Sequence, residues 1–165
     1  MVATTDDPFV EVYPALIQHL DGCIYAWSQL VSDQSKHDPR LDINSMDIED
    51  VRNFLRRLIL DRRIIVALES ESIVGIATVA PDLNMLDHSG TVWNIADVWV
   101  EPSRRRQGIA RHLVKASEER AMLDGATEVR LQVYASNDAA SMMYGQLGYR
   151  TIIRTMRKRL DEESP

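Results

Sequence analysis

The sequence predicts a mixed α/β domain built on one sheet, and three observations carry that prediction. Two short apolar runs, 63–68 and 73–80, are separated by Glu69-Ser70-Glu71-Ser72, the pattern of a β-hairpin. The apolar run 92–100 is closed by Pro102, which cannot donate to a strand ladder, and is followed by helical spacing at Ile109, Leu113 and Ala116. The stretch 128–134 then alternates, with Val129, Leu131 and Val133 on one face and Arg130 and Gln132 on the other. A hairpin feeding strand–helix–strand–helix–strand forms one sheet with both parallel and antiparallel neighbours.

The remaining elements follow in order. Residues 1–8 are polar and read as loose, and Phe9 to Val12 read as a short first strand. From Pro14 the positions Ala15, Leu16, Leu20, Cys23, Ile24, Trp27, Leu30 and Val31 fit a helix, with Pro14 in its first turn. Residues 32–45 are polar and contain Pro39, which predicts a loop. Asp47 opens a second helix whose stripe is Val51, Phe54, Leu55, Leu58 and Ile59. A polar loop spans 82–90, a helix spans 108–124 with Gly125 as its stop, and Asn137 caps a short helix ending before Gly148. Tyr149 to Arg159 reads as a last strand and 161–165 as a tail. Trp93 and Trp99, six apart on one strand, are expected to share a face and to pack in the core.

Composition bounds the function. A chain of 165 residues with 45% hydrophobic and 27% charged residues suits one globular domain, 1–165. The net charge of −6 argues against nucleic acid as the main partner and leans towards a cationic substrate. The single Cys23 forms no internal disulfide and no cysteine-rich zinc site, which suits a reducing cytoplasmic setting, and its apolar neighbours predict burial. No stretch approaches 18 apolar residues, so neither a membrane span nor export is expected.

Against that acidic background, Arg104, Arg105 and Arg106 form a local basic loop between strand and helix. A helix start presents unpaired N–H groups and the positive end of its dipole, which makes it an anion site. Gly108 has no Cβ, so a phosphate oxygen could approach its backbone closely. Residues Arg105-Arg106-Gln107-Gly108-Ile109-Ala110 fit the pattern Arg/Gln-x-x-Gly-x-Gly/Ala. An ordinary βα turn with a solvated basic loop would show the same residues. No Gly-Lys-Ser/Thr loop and no Gly-x-Gly-x-x-Gly follows a strand, which argues against a nucleotide-binding domain of another kind.

A second group completes the pattern: Asn137-Asp138-Ala139-Ala140, Tyr144 and Leu147-Gly148-Tyr149. With Val98-Trp99-Val100-Glu101-Pro102 and the loop 105–110, these residues resemble the GNAT superfamily of N-acetyltransferases over about residues 64–160. The resemblance implies an α/β (α+β) fold whose mixed central sheet has splayed middle strands, flanked by about four helices. It implies acetyl-CoA as acyl donor, no metal, and direct transfer to a primary amine. The pyrophosphate would meet the backbone of Arg106, Gln107, Gly108, Ile109, Ala110 and Arg111, with charge from Arg105 or Arg106. The pantetheine arm would pair with free backbone groups at Val98, Trp99 and Val100. Asn137 and Tyr144 would face the cofactor, and Tyr144 would protonate the departing thiolate as general acid. Read from the residues alone, Asn137 is also a plain helix cap and Tyr144 also a packing residue.

The general base is the least defined part. Some relatives carry a glutamate on the central strand where this chain has Asn94, which can orient a water but cannot take a proton. Asp97, three positions on, is expected on the opposite face. His88 and Asp87, and also His37, could reach the substrate side, although a surface histidine is the plainer reading of each. The acceptor expected first is a small-molecule amine, then a protein or peptide amine; a non-catalytic acyl-CoA sensor is the alternative outside catalysis. Relatives of this kind are often dimers, and strand 149–159 could pair with or swap into a second copy.

Overall fold

The computed structural model describes residues 3–4, 10–38, 40–82 and 92–158. His88 and Asp87 lie outside the described residues. Residues Met1–Tyr134 form one compact unit and Ala135–Pro165 a second.

The first unit holds a six-stranded sheet in sequential order: β1 (Ala3–Thr4), β2 (Val10–Pro14), β3 (Ile64–Glu69), β4 (Ser72–Pro81), β5 (Val92–Val100) and β6 (Glu128–Leu131). Neighbours are antiparallel up to β5, and β5–β6 is parallel. The helices are α1 (Leu20–Ser35), α2 (Ile48–Leu60) and α3 (Ile109–Leu123), with α4 (Asp138–Gln146) in the second unit. None of the helices is long and apolar enough to cross a membrane among the described residues.

Each face of the sheet has its own core. On one, Cys23, Ala26 and Leu30 of α1 and Val51, Leu55 and Ile59 of α2 pack on Ile64, Val66, Ile76 and Trp99. On the other, Ile109 and Leu113 of α3 pack on Val12, Ile65, Ala67, Ala77 and Val100. The hairpin turn needs positive φ at both Ser70 (48°) and Glu71 (69°), the twist-matched two-residue geometry. Asp47 caps α2, its carboxylate accepting from the Glu49 N–H at 2.7 Å.

Several expectations change. Pro14 ends β2, opposite Ile65, instead of opening a helix; a 3-10 turn at Ile17–His19 intervenes before α1, which then runs on to Ser35. Ala3–Thr4 pairs with Val12 and Glu11. Phe54 is exposed, because Val51, Leu55 and Ile59 already fill the buried stripe of α2. Strand β6 stops at Leu131, three residues early, and no strand forms in 149–158, where Ile152, Ile153 and Met156 are exposed. A β-competent segment becomes a strand only when an edge pairs with it.

The largest departure is a β-bulge. Thr78 is opposite Asp97 but Val79 is opposite Ile95, so Ala96 has no partner on β4. The extra residue shifts the alternation of β5. Trp93 lies opposite Pro81 and Trp99 opposite Ile76, five positions apart on β4 and so on opposite faces. The two tryptophans are both buried, as expected, but in different layers.

Gly75 sets how closely α3 approaches. A Cβ there would stand 2.9 Å from Leu113 Cδ1, 3.2 Å from the Trp99 carbonyl oxygen and 3.3 Å from Ile109 Cγ2. Gly75→Ala is therefore expected to destabilise the protein by about 1–3 kcal/mol through overpacking. Chemical denaturation of the two proteins checks it, and equal midpoints would contradict the packing described.

Candidate functional site

The site grows out of the bulge. Strand β5 pairs with β6 only from Val92 to Ile95, and Ala96–Val100 has no strand on that side among the described residues. The sheet therefore forks at Ala96, between its last two strands. The Glu101 N–H donates to the Val74 carbonyl at 2.9 Å, towards β4. By alternation the backbone groups of Trp99 also turn to β4, while those of Val98 and Val100 turn into the fork. The Val100 carbonyl confirms the direction, accepting from Arg105 Nε at 2.9 Å. Of the three strand positions expected at the ligand, Val98 and Val100 are at the open edge. Trp99 is turned inward, its indole in the α1/α2 core.

The loop beyond β5 holds the second feature. Pro102–Arg104 form a 3-10 turn. Arg106 then adopts φ 66° and Gly108 φ 80°, both left-handed, before α3 begins. A non-glycine residue in that region carries about 1–3 kcal/mol of strain, a feature concentrated at ligand clamps. Gly108 is the cap of α3 and supplies no side-chain acceptor, and no acidic residue stands in the first turn. The start of α3 therefore carries no side-chain cap and no acidic residue of its own to meet the positive end of the helix dipole. His112, which sequence reasoning did not single out, faces the Gly108 carbonyl through Nδ1 at 3.0 Å, bracing the cap.

The three arginines are not equivalent. Arg104 pairs with Glu69 at 2.8 Å. Arg105 reaches away from the loop to Asp33 at 2.7 Å, and Arg106 is exposed beside Gln107. Burial alone would raise the Asp33 carboxyl, but hydrogen bonds from Lys36 and Arg105, with their charges, hold it below the usual value.

At the fork itself stand Asn94 and Asp97. Their partners on β4 are Ala80 and Thr78, two apart, so Asn94 and Asp97 share a face; strict alternation placed them on opposite faces because it could not include the bulge. Thr78 Oγ1 donates to Asp97 Oδ2 at 2.6 Å. Burial pushes the Asp97 carboxyl above the ordinary value, and the Thr78 bond offsets only part of that. Arg130 lies opposite Asn94 on β6 and pairs with Glu128 at 2.6 Å. His37, just past α1, stacks on Tyr134, just past β6, with centroids 5.2 Å apart, which links the α1–α2 connection to the chain leaving the fork.

In the second unit, Asn137 caps α4, its Oδ1 accepting from the Ala140 N–H at 3.1 Å. Tyr144 meets the Tyr149 ring edge-on at 5.8 Å, and burial raises its hydroxyl pKa. Cys23 is fully buried in α1 and its thiol is pushed up to about 12, which removes it as a nucleophile.

Known proteins share this fold. An aminoglycoside N-acetyltransferase, AAC(6')-Iy, solved in complex with CoA, superposes with a TM-score of 0.72 at 16% identity, covering 92% of this chain and 95% of that one. A second aminoglycoside acetyltransferase, meta-AAC0020 from an uncultured soil metagenomic sample, gives 0.69 at 21% identity over 94% and 99%. Among curated proteins, GCN5-related N-acetyltransferase 6, chloroplastic, of Arabidopsis thaliana is 31% identical over 70 residues, 42% of this chain and 24% of that protein. This chain thus spans about a quarter of that relative's length. The profile of the acetyltransferase (GNAT) family matches residues 24–149, which include the fork, the basic loop and α4. The chain belongs to the GNAT family of acetyltransferases.

Proposed function

We propose that this acetyltransferase takes its acetyl group from acetyl-CoA and passes it directly to the primary amine of a small molecule. The observation that carries the donor half is the fork. Val98 and Val100 offer an edge without a strand partner that runs from the basic loop back to Asp97, three residues or roughly 10 Å of strand. An extended arm paired along it, with its pyrophosphate at the Gly108 cap, brings its thioester to the bulge. Gly108 and an α3 start without a side-chain cap suit a pyrophosphate, with charge from Arg106 and Arg111.

At the bulge Asp97 serves as base. The amine nitrogen attacks the thioester carbonyl carbon, the C–S bond breaks, and the proton lost by nitrogen goes to Asp97, directly or through a water oriented by Asn94. Tyr144 returns a proton to the departing thiolate. The raised Asp97 carboxyl suits this work, since a base closer to neutrality accepts a proton more readily. Support for a small cationic acceptor comes from the net charge of −6 and from the aminoglycoside acetyltransferases among the structural neighbours.

Three outcomes are expected. CoA and acetyl-CoA at about 100 times Kd raise the melting temperature by roughly 5–10 °C. ATP and NAD do not, and thiol release against small amines exceeds that against peptides. A thermal-shift plate without a CoA response would sink the donor reading. Asp97→Asn lowers kcat/KM by about 10²-fold. In the parent enzyme kcat/KM falls as pH drops through a carboxyl value above the ordinary one, and the variant loses that limb. Because burial disfavours the charged carboxylate, the variant melts no lower than the parent at neutral pH. Retained turnover with an unchanged pH profile would exclude Asp97 as base. Tyr144→Phe slows transfer about 10²-fold with CoA affinity within twofold; undiminished kcat would remove the acid role.

A further inference from the structure

Arg105 bridges two acceptors that belong to different elements. Its Nε donates to the Val100 carbonyl at 2.9 Å, and its Nη2 donates to Asp33 Oδ2 at 2.7 Å. Asp33 lies in the last turns of α1, 72 residues earlier in the chain. One guanidinium therefore spans the end of the open strand edge and a helix on the sheet's other layer.

This bridge has two physical effects. The Arg105 guanidinium stands against the Val100 carbonyl on the open side, so an extended ligand can pair at Val98 and with the Val100 N–H but meets a competing donor at that carbonyl. Pairing stops at Val100, where the ligand must turn into the basic loop. The bridge also fixes the direction in which the chain leaves β5, because Arg105 immediately precedes the left-handed Arg106. The planar guanidinium holds both contacts in one rigid geometry.

We infer that Asp33 is a positioning residue of the donor site: through Arg105 it sets where pairing along β5 ends and holds the phosphate loop in its binding shape. This rests on the donor reading proposed above. The pair is part-exposed, with 45% of the Arg105 side chain and 30% of that of Asp33 accessible. Such pairs add little to global stability, so the effect of breaking it is local to the loop.

The test is CoA affinity by calorimetry on the full chain, with steady-state kinetics alongside. Asp33→Asn is expected to weaken CoA and raise KM for acetyl-CoA about five- to tenfold, with kcat within twofold and the ligand-free melting temperature nearly unchanged. Asp33→Glu, which keeps the carboxylate, recovers most of the affinity. In an Arg105→Gln background, Asp33→Asn adds little further loss, because the two residues act as one unit. If Asp33→Asn binds CoA as tightly as the parent, or costs the same again without Arg105, the inference fails while the donor reading stands. If the parent itself binds no CoA, both fail together.

Discussion

One extra residue in one strand governs the centre of this molecule. Ala96 has no partner on β4, and β5 parts from β6 at the same place. A bulge increases local twist and bends the strand that carries it, so a neighbour following the original direction loses contact. The fork, the inward turn of Trp99, and the meeting of Asn94 with Asp97 on one face all follow from that shift. An exposed edge within a sheet is ordinarily a liability, because its unpaired groups invite other chains. Here the open stretch is short, Ala96–Val100, and begins where the pairing with β6 ends at Leu131.

The loop after β5 shows how charge is divided within a short stretch. Arg104 and Arg105 are committed to Glu69 and Asp33, and so anchor the loop to the hairpin and to α1. On the donor reading, anion binding then falls chiefly to backbone N–H groups, whose positions are fixed once the loop is fixed. Side-chain cations around such a cradle act mostly by holding it, with Arg106 left exposed to contribute field.

Much of this architecture was legible in the sequence. Periodicity gave the hairpin, α2, α3 and α4, and turn chemistry gave the strand end at Pro102 and the caps at Asp47 and Asn137. The loop 105–110 was singled out because glycine and arginine at fixed spacing have a mechanism. What was not legible were features set by pairing between distant strands. Nothing local in Ile95-Ala96-Asp97 marks a bulge, since it exists only in register with Thr78 and Val79. The face of Asp97, the separation of Trp93 from Trp99, and the early end of β6 were missed for that one reason. The run 149–158 failed for the complementary reason: alternation shows that a segment can be a strand, not that an edge awaits it. The Asp33–Arg105 bridge joins residues far apart in sequence, and no spacing rule reaches across that distance.

The burial of Cys23 has a consequence for an enzyme of this chemistry. On the donor reading proposed above, each turnover releases a free thiol, and thiols exchange with any accessible disulfide or oxidised cysteine nearby. The chain's one sulfhydryl is sealed beneath α1 and held protonated by a pKa of about 12. It can neither attack a disulfide of the spent cofactor nor be captured by one. The thiol product of that reaction therefore meets no accessible cysteine on this chain.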